Sequence, residues 1–168
     1  MVKKNLLILL LFLFLTSCND VKQKSEIVSY PTNFFAKVIG VKDGDTIEVL
    51  FNNNPIVIRL EHIDCPEKKQ PFGKRAKQFA SDFCFGKIVN IISKGKTDRY
   101  KRLIAEVKIE NGNILNKELV RNGLAMHYKK YSKAGEYDLL ENRTRLVFHT
   151  TWELANRDEA VKVDKAVE

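Results

Sequence analysis

The chain has 168 residues, a formal charge of +8, 44% hydrophobic and 30% charged residues. Once short ends are set aside, that length supplies one domain's worth of core. Lysine and arginine are spread along the chain without forming a block, so the cationic excess suits a polyanion but does not choose between nucleic acid, anionic lipid and a merely solvated surface.

At the amino terminus, Lys3 and Lys4 precede an apolar run from Leu6 to Leu15, and Leu15-Thr16-Ser17-Cys18 follows directly. The run is about half of the roughly 20 residues that cross a bilayer. It lacks the polar face of a domain helix and reads as the core of a secretory signal. The tetrapeptide ending in Cys18 resembles a bacterial lipobox. Residues 1–17 are therefore expected to be removed and Cys18 lipidated, giving an exported protein anchored by lipid to a membrane of the cell envelope. Losing Lys3 and Lys4, with no acid among residues 1–17, takes the formal charge from +8 to +6. Residues 18–32 are polar and without apolar period, as a flexible tether requires, and a domain is expected over residues 33–155. Cys65 and Cys84 are then the only thiols left to pair; a single possible bridge is a weak signal, and both are expected to be free.

Strands come first. Phe35 to Val41 and Thr46 to Phe51 are rich in β-branched and aromatic residues and flank a turn at Asp43-Gly44. Asn52-Asn53-Asn54-Pro55 is a second turn, and Ile56 to Ile63 reads as a third strand. From Phe72 to Phe85 the period changes: Ala76, Phe79, Ala80 and Phe83 make a helical stripe that Gly86 ends. Strands resume at Lys87 to Ser93 and Leu103 to Ile109, with a hairpin-type turn at Asn111-Gly112. Leu115 to Asn122 is a short helix closed by Gly123, and a last amphipathic helix covers Glu136 to Val147. Five strands with a helix between the third and fourth predict an α+β, mainly β domain: a five-stranded OB-fold barrel with about three helices. Residues 156–168 form a charged tail.

Three short pieces carry the chemistry: Asp43-Gly44-Asp45-Thr46, then Arg59 running through Ile63-Asp64-Cys65-Pro66-Glu67, then Asp98-Arg99-Tyr100-Lys101-Arg102. Two carboxylates can hold a hard cation, an unattached glutamate can activate water, and two guanidinium forks can clamp a phosphate. Alone, the first piece is a turn, each arginine a surface ion pair, and each tyrosine half-buried packing. Together they point to a metal-dependent phosphodiesterase.

From about Phe35 to Tyr131 the order and spacing of these pieces resemble the staphylococcal nuclease (thermonuclease) family. The resemblance implies a calcium-dependent endonuclease that hydrolyses phosphodiester bonds of single- or double-stranded DNA and of RNA to 3′-phosphate products. It implies one Ca²⁺ held by Asp45, Asp64 and the backbone carbonyl of Cys65, with Glu67 as general base or water-orienting carboxylate. Arg59 and Arg102 would bind the scissile phosphate, and Tyr100 and Tyr131 would contact nucleotide. The protein is expected to be a monomer. Cys65 stands where the type enzyme has threonine, which a carbonyl ligand tolerates. Lys101 replaces a usual glycine, and if that glycine serves a positive backbone angle, lysine is strained there. Trp152 is expected to substitute for the tryptophan of the family's Gly-Leu-Trp ending.

A thiol nucleophile built from Cys65 and His62 is disfavoured, because residues three apart on a strand face opposite sides and nearby carboxylates oppose a thiolate. His62, His127 and His149 are read as packing or rim residues. A non-catalytic OB-fold lipoprotein that only binds nucleic acid is the alternative function, but it gives no reason for keeping Asp45, Asp64, Glu67, Arg59 and Arg102 together.

Overall fold

The computed structural model describes residues 30–147. The expected leader over 1–17, Cys18, the expected tether up to residue 29, His149, Trp152 and the expected tail over 156–168 lie outside the described residues.

Five strands close into a barrel: β1 (Asn33–Asp43), β2 (Thr46–Phe51), β3 (Asn54–Leu60), β5 (Ile88–Thr97) and β6 (Leu103–Lys108), in the order β1-β2-β3-β6-β5. The chain therefore has the OB-type α+β architecture expected of it. β1 pairs antiparallel with both β2 and β5, and β3 pairs parallel with β6 to close the ring. The alternation of apolar residues decides the inside: Val38, Ile47, Val49, Ile58, Val89, Ile91, Leu103 and Val107 are almost wholly buried. Each such side chain contributes about 1.5–3 kcal/mol of transfer free energy. Tyr30, expected at the end of the tether, packs half-buried against this core.

Three helices are described: α1 (Gly73–Cys84), α2 (Leu115–Arg121) and α3 (Gly135–Val147). Ala76, Ala80 and Cys84 form the buried stripe of α1, at the four-residue spacing of one helical face. Gly73 opens that helix because no side chain fits: a Cβ there would lie 2.0 Å from the Glu67 carbonyl oxygen. The turn Asn111-Gly112 folds back locally, Gly112 at φ 88° and an antiparallel bridge joining Lys108 to Ile114. Tyr137, fully buried, ties α3 to the barrel by donating its hydroxyl to Glu106.

The third strand differs from its expectation. β3 ends at Leu60, and a turn at Glu61-His62, with His62 at φ 71°, separates it from a two-residue strand β4 (Ile63–Asp64). The break has a tertiary cause. β3 pairs with β6 only as far as Leu60, whereas Ile63 and Asp64 pair with His127 and Met126 of β7 (Met126–His127) in a separate ribbon. The chain leaves the barrel in between. β5 runs beyond Ser93 to Thr97, across an irregularity in its pairing with β6 where Gly95 takes φ 69°.

Candidate active site

Asp45 sits in the tight turn between β1 and β2, and its neighbour Gly44 has no room for a side chain. A Cβ at Gly44 would stand 2.7 Å from the Ala76 Cβ and 3.0 Å from Cys65. Glycine therefore lets α1 and the Cys65 segment close over the turn. The Asp45 carboxylate, nearly buried, accepts hydrogen bonds from the Thr46 hydroxyl at 2.9 Å and the Cys65 backbone N–H at 3.1 Å. Those bonds fix both of its oxygens and hold the loop after β4 against the barrel mouth.

Arg59 pairs across β2 with Thr46 and reaches the same place from β3. One terminal nitrogen donates to the Leu60 and Ile63 carbonyls at 3.0 and 2.9 Å, bracing the turn out of β3. The other lies 2.7 Å from Asp64 Oδ1 and 3.3 Å from Asp45 Oδ2, so one guanidinium gathers both acids. Burial pushes the Asp64 carboxyl above its ordinary value and the charges of Asp45 and Glu67 add to that, against the pull of Arg59. The raised Asp64 carboxyl, beside two further acids, marks a place that needs more positive charge than Arg59 supplies. That need, with oxygen donors alone, fits a hard divalent cation at Asp45 and Asp64.

Glu67 lies on the loop beyond β4, exposed, with its backbone held by Gln70 rather than its carboxylate engaged. Arg102 enters from the loop before β6. Asp98 organises that loop: its Oδ1 accepts the backbone N–H groups of Tyr100 and Arg102 at 2.9 and 3.0 Å, and its Oδ2 takes Arg102 Nε and a terminal nitrogen at 2.7 Å each. Burial alone would raise the Asp98 carboxyl, but the bonds from Arg102 and Tyr100 outweigh it and hold it below the usual range. The other Arg102 nitrogen donates to Thr46 Oγ1 at 3.3 Å, so Thr46 links Arg102 to Asp45. Lys101 takes φ 62°. The left-handed angle at this position is thus real and is held by a lysine, while Arg102 remains joined to Asp98 and Thr46.

An open cleft of about 950 Å³ joins these groups, lined by Asp45, Arg59, Asp64, Glu67, Arg102 and Tyr131 among others. Tyr100 and Tyr131 are among its most exposed aromatic residues, at 63% and 73%. Arg99 and Arg102 lie 4.7 and 5.3 Å from the centre of the Tyr100 ring, giving it a cationic edge. Cys65 and Cys84 are free and buried. Burial first, then the charge of Asp45, pushes the Cys65 thiol well up, so it is no nucleophile; burial takes Cys84 to about 12.

Three residues that matter here carried no role in the sequence reading. Thr46 stood inside a quoted motif, the only signal it offered. Asn116, fully buried on α2, donates to the carbonyls of Glu61 and Ala105 at 2.9 and 3.2 Å and accepts the Val107 N–H at 3.1 Å, thereby supporting the turn that leads to Asp64. Ser132 joins His62 Nδ1 and His127 Nε2 at 2.8 and 2.9 Å. That contact ties His62 and His127, read as packing or rim residues, to one hydroxyl.

Mutually repelling acids opposed by guanidinium forks at the open mouth of an OB-type barrel suit hydrolysis of phosphodiesters, and the domain is of the hydrolytic nuclease class. The chain belongs to the staphylococcal nuclease family: the model of that family, described as staphylococcal nuclease homologue, matches residues 57–145. Similar proteins include an uncharacterized endonuclease of Haemophilus influenzae, 39% identical over 126 residues, with 74% of this chain and 64% of that protein covered. An uncharacterized endonuclease of Escherichia coli O157:H7 is 33% identical over 129 residues, covering 75% and 84%. A micrococcal nuclease of Shigella flexneri is 36% identical over 125 residues, covering 68% and 71%.

Proposed function

We propose that this protein is a calcium-dependent endonuclease that hydrolyses DNA and RNA to 3′-phosphate products. The observation that carries the reading is the convergence of Asp45, Asp64, Glu67, Arg59 and Arg102, from three separate stretches of sequence, on one cleft. A non-catalytic binding module gives no reason for a solvent-facing Glu67 beside two cation-seeking acids.

Calcium held by Asp45, Asp64 and the Cys65 carbonyl would supply positive charge to a non-bridging phosphate oxygen and leave coordination places for water. Glu67 takes the proton of a water attacking phosphorus in line. Its exposed carboxylate is free to do so, and a general base contributes on the order of 10²–10⁴-fold. Arg59 and Arg102 neutralise the charge that builds on the phosphoryl oxygens, each as a planar fork matched to two of them. The P–O5′ bond breaks, the 5′ oxygen leaving as an alcohol with a proton taken from solvent water, and the phosphate stays on the 3′ oxygen. Tyr100 and Tyr131 stack bases, at about 1–3 kcal/mol per base and with little regard to sequence. In its setting the domain is a monomer, exported after removal of residues 1–17 and lipid-anchored to the cell envelope through Cys18, with residues 18–32 as tether.

The test is degradation of labelled single-stranded DNA and of RNA with calcium and with chelator, beside Glu67→Gln. Cleavage should need calcium and fall about 10²–10⁴-fold in the variant. Binding without cleavage under any divalent ion would transfer the assignment to a nucleic-acid-binding module.

A further inference from the structure

Where α3 meets the β4–β7 ribbon, His127, Asp138 and Glu141 each bring one ligand atom to within 4.8 Å of the others. His127 belongs to β7 and the two acids to α3, so the cluster ties α3 to the ribbon that carries Asp64. The His127 and Glu141 side chains are only 4% and 7% exposed. Among the described residues His127 Nδ1 and Glu141 Oε2 are nonetheless buried with no hydrogen-bond partner, Asp138 Oδ1 standing 3.8 Å from the His127 nitrogen. A buried polar atom left unmatched is unfavourable, and here two of them face one gap.

Their other valences are already committed. His127 Nε2 is held by Ser132 Oγ at 2.9 Å, and Glu141 Oε1 by Arg145 at 2.9 and 3.2 Å. A ring and a carboxylate oriented by outer partners, with their remaining lone pairs turned inward, is how metal-binding side chains are held. A cation already samples the place: Lys129 Nζ lies 2.5 Å from Asp138 Oδ1 and 3.9 Å from Glu141 Oε2. Its side chain is 61% exposed and can swing out to water.

We propose that His127 Nδ1, Asp138 and Glu141 form a second metal site, for a divalent transition ion of the zinc class, in which the ion replaces the Lys129 ammonium. One imidazole nitrogen and two carboxylates with water in a fourth place is a zinc-type donor set, whereas calcium takes six to eight oxygens and no imidazole. Bonds of about 2.0–2.2 Å require the donors to draw together, which Asp138, the half-exposed member, does by side-chain rotation. The ion clips α3 to β7. Because His127 pairs with Ile63 and Ser132 connects it to His62, the clip also steadies the ribbon that presents Asp64.

The test is calorimetric titration of the metal-stripped protein with Zn²⁺ alone, with thermal melts, and the visible spectrum after Co²⁺ loading. Asp138→Asn and Glu141→Gln change donors without changing shape. An Asp45→Asn, Asp64→Asn double variant separates this site from the calcium cleft. Zinc is expected to bind one per chain and raise Tm in wild type and in the double variant. Affinity should fall at least about tenfold in Asp138→Asn and in Glu141→Gln, and Co²⁺ should show the strong absorption of a tetrahedral site. Zinc binding that survives both α3 substitutions, that vanishes in the double variant, or that is absent from wild type overturns the proposal.

Discussion

Asp98→Ala separates the positioning of Arg102 from its chemistry. The substitution removes the acceptor for two backbone N–H groups and both halves of the Arg102 fork. The backbone pair sits on a loop where water replaces much of what is lost, so they contribute well under the usual 1 kcal/mol each. The Arg102 pair is charge-assisted and partly shielded, worth about 1–2 kcal/mol after discounting for solvent. The sum is about 2 kcal/mol, or about 5–10 °C in Tm for a domain of this size. Activity should suffer more than stability. Deleting a donor aimed at a developing oxyanion costs about 10²–10³-fold; a loosened Arg102, still held by Thr46, should cost about 10–100-fold, in kcat rather than KM. Steady-state cleavage of a short labelled oligonucleotide, well below the variant's Tm, reads this directly. A variant that melts lower but keeps kcat within about twofold refutes the idea that Asp98 positions Arg102.

Four further outcomes follow from the same geometry. The folded-state Asp98 carboxyl lies below its ordinary 3.8, so its contribution to stability is present above about pH 4 and lost as pH falls through the lowered value; Asp98→Asn should flatten that acid limb in urea midpoints measured against pH, and parallel curves would contradict it. At Lys101, φ 62° makes glycine neutral or mildly stabilising, while Lys101→Val should lose about 1–2 kcal/mol in thermal melts; equal melts would show that the angle carries no strain. Asn116→Ala removes two buried hydrogen bonds and a part-buried one and should cost about 2–3 kcal/mol in denaturant unfolding, a loss under about 1 kcal/mol meaning that the groups find other partners. Cys65 and Cys84 should react with an alkylating reagent only as fast as the domain opens, and rapid labelling of native protein would refute their burial.

The sequence by itself determined whatever depends on neighbours within a turn or a strand. The barrel strands and the three described helices lie within a few residues of where periodicity and turn chemistry put them, because a strand's alternation and a helix's stripe are local patterns. The site residues were legible only as three pieces whose spacing matched a family. What brought them together was tertiary: Asp45 reaches Cys65 across 20 residues and Thr46 reaches Arg102 across 56. The break of the third strand at His62 was hidden for the same reason, since nothing local says that β3 must stop pairing with β6 and Ile63 must find β7. Asn116 reads as a polar residue in a short helix until Glu61, 55 positions away, lies against it. His127 and Ser132 carry no signal until the ribbon and α3 meet. Local sequence selects conformation, but burial and charge are properties of the space around a group, and that space exists only once distant segments have closed it.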